Sequence, residues 1–339
     1  MPRTRQLHQW LEHLFPDLRP GDELTIEPAS ADASFRRYFR ITLPDGLTRI
    51  VMDAPTEHED CRPFLHVAAL FHAAGVHVPE VLADHLDDGF LLLSDLGNTT
   101  YLSALNGDTA RALYGDANAA LVDIQRASRP GVLPDYDRTL LERELRLFPD
   151  WYLGKHLEIS LDAKQEAALH RVFEAILANN LAQPQVFVHR DYHSRNLMVL
   201  ADKYPGNPGI LDFQDAVYGP ITYDLVSLYR DAYIDWPEAQ ELDFVIRYWE
   251  RARDAGLPVH ADFDAFYRDY EWMGAQRQIK VLGIFARLWH RDGKDGYLKD
   301  MPRVMAYLRR TCQRYRELKP LAQLLDQLEA RAPETGLTF

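Results

Sequence analysis

The sequence predicts an α+β protein of two lobes, a small β-rich lobe over residues 1–97 and a larger, mainly helical lobe over 98–339. Three observations predict it. Short β-rich runs separated by turn residues fill the first part of the chain, whereas from Asp108 onward apolar residues recur at helical spacing. Within the helical half only residues 185–213 read as strands. A length of 339 residues suits two domains of ordinary size, and 47% hydrophobic with 26% charged residues is the composition of a folded chain.

Taken in order, Leu7, Trp10, Leu11 and Leu14 recur at i, i+3, i+4 and i+7 and predict an amphipathic helix closed by Phe15-Pro16. Strands follow at Leu24 to Ile26, Tyr38 to Leu43 and Ile50 to Met52, the last two joined by the turn Pro44-Asp45-Gly46. The stretch from Ala29 to Arg37 is small and polar, then basic, and has no glycine; it is placed to cover phosphates. A helix over Glu59 to Ala74, with Phe64, Val67, Ala68 and Phe71 on one face, ends at Gly75. Strands at Glu80 to Ala83 and Gly89 to Leu93 lead into Ser94-Asp95-Leu96-Gly97, a polar turn whose backbone suits a nucleotide base. Helices are then expected over Asp108 to Ala127, Tyr136 to His156 and Asp162 to Asn179, the last opened by an Asp162…Gln165 capping pair. After the strands come helices near 221–234, 238–255, 262–290, 300–317 and 320–330.

A formal charge of −13, with no basic run, argues against a nucleic-acid partner. Cys61 and Cys312, far apart and outside any CxxC, fit a reducing compartment without a disulfide framework or structural zinc. There is no signal-peptide pattern and no apolar run of membrane-spanning length, so a cytoplasmic location without membrane attachment is expected.

The chemistry is concentrated in Val186-Phe-Val-His189-Arg-Asp191-Tyr-His193-Ser-Arg195-Asn196, followed by Ile210-Leu211-Asp212. Two apolar runs bracket a polar loop of the form His-x-Asp-x-x-x-x-Asn. Kinase catalytic loops use that spacing for an Asp that accepts the acceptor hydroxyl proton and an Asn that binds metal. Asp191 is accordingly the expected base, with Asn196 and Asp212 as Mg²⁺ ligands. His189 is expected to be a buried scaffold tied to a carboxylate, with Asp224 its candidate partner. Two other classes compete: a metallohydrolase using His189, Asp191, His193 and Asp212, and a nucleotide-binding protein without catalysis. The other eleven of the thirteen histidines form no H-x-H or H-x-x-x-H pair with one another, and an intact Asp191 speaks against a silent site. No G-x-S-x-G nucleophile motif is present.

The run His189 to Asn196, then Ile210-Leu211-Asp212-Phe213, Gly219-Pro220 and Tyr223-Asp224-Leu225, resembles the aminoglycoside phosphotransferase and choline kinase family. The resemblance spans nearly the whole chain and implies a two-lobed protein-kinase-like fold, ATP with Mg²⁺, and a small-molecule acceptor. Ser34-Phe-Arg-Arg-Tyr-Phe39, Val51-Met-Asp-Ala-Pro55, Leu91 to Gly97 and Phe148-Pro-Asp-Trp-Tyr-Leu153 are similar to the branch of bacterial anomeric amino-sugar kinases that make sugar 1-phosphates of N-acetylmuramate and N-acetylglucosamine in peptidoglycan recycling. Aminoglycoside, choline and homoserine are the alternative acceptors, and a monomer is what the family implies.

From that resemblance the nucleotide is expected against Ser34, Arg36, Arg37, Ser94, Asp95 and Leu96, and the acceptor against His193, Arg195, Gln214 and Asp215. One departure stands out. The family places a Lys or Arg on its third strand, but Ile50-Val-Met-Asp53 has none, so an arginine among 36, 37, 40 and 49 is expected to take the phosphates. A muramate carboxylate would call for an arginine such as Arg195 or Arg230. The aromatics Trp151, Tyr152, Tyr192, Tyr218, Tyr223, Trp236, Trp272 and Trp289 suit sugar faces, although core packing is expected of most.

Overall fold

The computed structural model describes residues 3–16, 25–30, 35–200 and 206–329. By its internal contacts the chain forms two compact units: residues up to Thr99 together with Met198–Asp215, and Thr100–Leu197 together with the chain from Ala216. A boundary drawn at residue 97 by composition misses the return of 198–215, because its short apolar runs read as a continuation of the strands before them.

In the first unit, helix α1 (Arg3–Leu14) precedes a five-stranded antiparallel sheet of order β1-β2-β3-β5-β4, with β1 Thr25–Ser30, β2 Arg37–Thr42, β3 Thr48–Asp53, β4 Val81–His85 and β5 Phe90–Ser94. Leu7, Trp10 and Leu11 bury the apolar stripe of α1 against Ile41, Val51, Phe90 and Leu92 of the sheet. Strand β1 runs to Ser30, further than its apolar letters suggest. Pro28 is tolerated because β1 is an edge strand, and the ladder shifts register between Pro28 and Ser30. Helix α2 (Arg62–Ala73) has a proline in its first turn and turns Phe64, Val67, Ala68 and Phe71 inward.

The second unit holds α3 (Tyr101–Ala104), α4 (Ala110–Arg126), α5 (Arg138–Leu147), α6 (Ala163–Leu181), α7 (Tyr223–Tyr229), α8 (Glu238–Asp254), α9 (Phe263–Asp292), α10 (Met301–Arg314) and α11 (Lys319–Glu329). The single helix expected over 136–156 is instead α5 followed by a π-helical segment, Phe148–His156. Pro149 lacks the N–H that would continue the α ladder, so the wider register takes over. Asp162 and Gln165 form the expected capping box on α6. Helix α7 stops well short of 234, because Arg230 leaves helical geometry at φ −107, ψ 47.

The unit is organised around α9, thirty residues long, capped by the Asp262 carboxylate at its start and by Gly293 in the left-handed region at its end. Gly283 lets α9 cross the end of α5 at backbone distance: a Cβ there would lie 2.4 Å from the Leu147 carbonyl carbon. Among the described residues no helix is long and apolar enough to cross a membrane. Because Leu147 presents rigid backbone, Gly283→Ala should cost about 1–3 kcal/mol and lower Tm by several degrees. An unchanged thermal denaturation curve would show that the helices do not meet this closely.

Candidate active site

The loop expected to carry chemistry hangs from strand Gln185–Val188, which pairs antiparallel with Val217–Pro220. Val186 to Val188 are buried, so the strand is fixed before the loop begins. At the turn, the Asp224 carboxylate accepts the backbone N–H of His189 at 2.7 Å and of Arg190 at 2.9 Å. Asp224 therefore reaches His189 through the main chain, and His189 Nδ1 accepts the Asp191 N–H at 3.2 Å. This double grip holds Arg190 at φ +77, a conformation that costs a non-glycine residue on the order of 1–3 kcal/mol.

The Arg190 side chain is held as firmly. Its guanidinium donates to Glu144 at 2.6 Å, and Glu144 also receives Lys280 at 3.0 Å and the Tyr136 hydroxyl. Lys280 in turn donates to the Tyr223 hydroxyl at 2.8 Å. Burial pushes the Glu144 carboxyl up, but Lys280 and Arg190 outweigh it and hold it below its ordinary range. Burial also opposes charge on Lys280, and Glu144 with Tyr223 restores it. The result is a buried layer of cations and one carboxylate beneath the loop.

Asp191 stands over that layer with its side chain about half exposed. Burial raises its carboxyl, while Lys280, His193, Arg277 and Arg190 together hold it at about 2. Asn196 donates its amide nitrogen to the Asp191 carbonyl at 2.9 Å. Ser194 is clamped through its N–H and hydroxyl by Asp231, and Tyr192 is buried with its hydroxyl on the Ala117 carbonyl at 2.9 Å. His193 packs edge-on against Tyr233, and Arg195 stacks its guanidinium 3.7 Å above the same ring. The second unit thus gathers Asp191, Asn196, His193 and Arg195, with His189 and Asp224 as support.

In the first unit, Asp212 sits at φ +62 and accepts Gln214 Nε2 at 2.8 Å, while Asp215 lies 3.5 Å from the same nitrogen. Phe213 is wholly buried against Phe64 and Phe71 of α2, which fixes the loop. Arg36 pairs with Glu59 at 2.9 Å. Burial works against its charge, but Tyr38, Glu59, Asp215 and Asp212 overcome this and raise its pKa.

The remaining expected nucleotide residues have internal partners. Arg37 binds the wholly buried Asp53, which also takes Arg3 at 2.8 Å. Arg40 makes a bidentate pair with Asp95 at 2.6 and 3.0 Å. Ser94 exchanges both N–H and hydroxyl contacts with Glu80. Arg49 donates to the neighbouring Thr48 carbonyl. Leu96 is buried, and Ser34 lies outside the described residues.

Arg230 requires a correction. It is fully buried, donating to Glu241 at 2.7 Å, Glu271 at 3.0 Å and Thr311 at 2.9 Å, so it braces α7 against α8, α9 and α10 and is closed to a ligand. Tyr192, Tyr223 and Trp272 are likewise core residues. Sequence reasoning passed over Glu144, Glu59, Arg277 and Lys280. The last two recur at i, i+3 on the helix expected over 262–290, a spacing that places both on one face.

The profile of the Phosphotransferase enzyme family matches residues 25–259, more than half of the chain. The chain belongs to that family. N-acetylmuramate/N-acetylglucosamine kinase of Neisseria meningitidis serogroup B is 51% identical over 344 residues, covering 100% of both chains. The protein of that name from Pseudomonas aeruginosa is 48% identical over 96% of this chain and 97% of its own. Among solved structures, choline kinase LicA from Streptococcus pneumoniae superposes with a TM-score of 0.62 at 12% identity, covering 89% of this chain and 99% of that one. ADP-bound aminoglycoside phosphotransferase APH(2'')-Ib does so at 0.55 and 14%, covering 88% and 96%. The likeness shows a shared fold, protein-kinase-like, and the protein is a phosphotransferase.

Asp224 yields a test with a definite sign. Burial is the largest influence on its carboxyl and raises it to about 7, against the pull of the two backbone N–H groups and Arg277. A folded-state pKa above the unfolded value means that the stabilisation is complete below about pH 4 and is lost as pH rises through about 7. Asp224→Asn removes this titration and sets an NH₂ against one of the two amides. The variant should be less stable at pH 5, with a gap to the parent that narrows toward pH 8. Parallel curves of Tm against pH would remove Asp224 as a titrating clamp.

Proposed function

We propose that this phosphotransferase is a kinase that moves the γ-phosphoryl group of ATP to the anomeric hydroxyl of N-acetylmuramate and N-acetylglucosamine, giving sugar 1-phosphates in peptidoglycan recycling. The observation that carries it is the full-length likeness to enzymes bearing those substrates' names. The acid Asp191, set on a braced loop above a cationic layer, supports the chemistry.

In this reading Asp191 accepts a hydrogen bond from the acceptor hydroxyl and orients its lone pair. A carboxyl held at about 2 is a weak base, suited to a loose transition state in which the proton leaves late. An anomeric hydroxyl, more acidic than an ordinary alcohol, needs no stronger one. Asn196 and Asp212 offer oxygens of the hard kind that Mg²⁺ prefers. When bound there, Mg²⁺ would neutralise charge on the phosphates. Arg36, backed by Glu59 and facing the charges of Asp212 and Asp215, is assigned to the phosphates in place of a third-strand Lys. Gln214 and Asp215 are assigned to sugar hydroxyls.

Asp191→Asn should lose roughly 10²- to 10⁴-fold in kcat while still folding and binding ATP, as single-turnover assays and nucleotide titration would show. Near-normal turnover would take Asp191 out of the mechanism. Isothermal titration should show Mg²⁺-dependent ATP binding in the parent and its loss in Asp212→Ala; unaltered Mg·ATP binding would reassign the metal. Phosphorus NMR of ATP with a panel of amino sugars, aminoglycosides, choline and homoserine should reveal an acid-labile sugar 1-phosphate. A 6-phosphate, or turnover of only the other acceptors, would overturn the acceptor and leave the kinase reading standing.

A further inference from the structure

Arg277, on the inner face of α9, is only 6% exposed, and the interior offers its guanidinium the buried Tyr223 ring at 6.0 Å but no hydrogen-bonded carboxylate. Its nearest carboxylate contact is Asp191, and at 3.9 Å that approach is too long for a hydrogen bond. Its Nε is buried with no hydrogen-bond partner. Of the two other cations of this layer, Lys280 and Arg190 both reach Glu144 at hydrogen-bond distance, although Arg190 Nε, like that of Arg277, has no partner; Arg277 alone of the three has no carboxylate that close. A buried guanidinium with an idle N–H is costly, and a fork of donors beside a reacting group matches a planar oxyanion. A second idle polar atom lies close by: His193 Nδ1 is buried without a partner, and its ring is near enough to Arg277 and Asp191 to feel both charges.

We propose that Arg277 is a specificity-determining residue that binds the carboxylate of the acceptor's lactyl ether, so that N-acetylmuramate gains an ion pair that N-acetylglucosamine cannot form. The inference rests on the amino-sugar kinase reading above. N-acetylmuramate is N-acetylglucosamine with an O3 lactyl group, so a cation beside the base meets that acid across the width of one sugar ring. A polycationic aminoglycoside would face the same guanidinium as a like charge. Arg195, exposed and stacked on Tyr233, stands outside this buried layer and is not required for the contact.

The test compares the two sugars and a neutral analogue. In the parent, N-acetylmuramate should show kcat/KM roughly 10- to 100-fold above its lactyl carboxamide, the usual worth of a charge-assisted bond, with the difference in KM. Arg277→Lys, which keeps the charge beside Asp191 but loses the fork, should erase most of that advantage. N-acetylglucosamine, which has no lactyl carboxylate, should lose clearly less in kcat/KM than N-acetylmuramate does. Equal handling of acid and carboxamide by the parent overturns the proposal without any variant having to fold. Equal losses on both sugars in Arg277→Lys overturn it too, since that is what a residue acting only through Asp191 would give. Parent turnover of N-acetylglucosamine checks the kinase reading separately; its absence together with that of N-acetylmuramate turnover would sink that reading and this one with it.

Discussion

The arrangement of the second unit depends on one carboxylate gripping two consecutive main-chain amides. Asp224 accepts from His189 and Arg190, and this is what permits a non-glycine residue at φ +77 between a buried histidine and Asp191. Left to itself, Arg190 would relax toward negative φ and swing the next side chain away. Glu144 opposes the same relaxation from below by holding the Arg190 guanidinium. Backbone and side chain are fixed independently, so the orientation of Asp191 is over-determined, as positioning chemistry requires.

Charge in this layer is handled by sharing. Glu144 receives Arg190, Lys280 and the Tyr136 hydroxyl, and Lys280 also donates to the Tyr223 hydroxyl, so two cations share one carboxylate. The residual positive field falls on Asp191. Separating buried ions is costly, so this set depends on Glu144 meeting both cations at once. The Arg230 group follows the same rule further along α9. There Glu241 and Glu271 take Arg230 together with Arg310 and Arg314, and nothing is left over for a ligand. Arg277 differs from these arginines in having no carboxylate at hydrogen-bonding distance.

Much of this was legible from letters. The His-x-Asp-x-x-x-x-Asn loop, the apolar runs that bracket it and the helical periodicities depend on local spacing, which sequence displays directly. The Asp162…Gln165 capping box is a case where four residues sufficed. The π-helical segment after α5 was less visible, because Pro149 lies inside a run whose apolar spacing stays helical. The partners of the arginines were not visible at all. Whether Arg37, Arg40 or Arg36 faces a ligand depends on which carboxylate the sheet sets opposite: Asp53 is the ladder partner of Arg37, Asp95 lies across from Arg40, and Glu59 precedes α2. Arg230 was misjudged for the same reason, since its neighbours Glu241 and Glu271 are remote in sequence.

Strand β3 starts two residues earlier than its apolar letters suggest and so carries a cation, Arg49, which donates to the Thr48 carbonyl. Strand β3 ends in Asp53, wholly buried, which needs positive partners and draws Arg37 from β2 and Arg3 from α1. Arg36, one residue before β2, pairs instead with Glu59 ahead of α2. Arg36 keeps its charge against the cost of burial through Tyr38, Glu59 and the acids of the 212–215 loop, so the acid is fixed on the strand and this cation on the segment before β2.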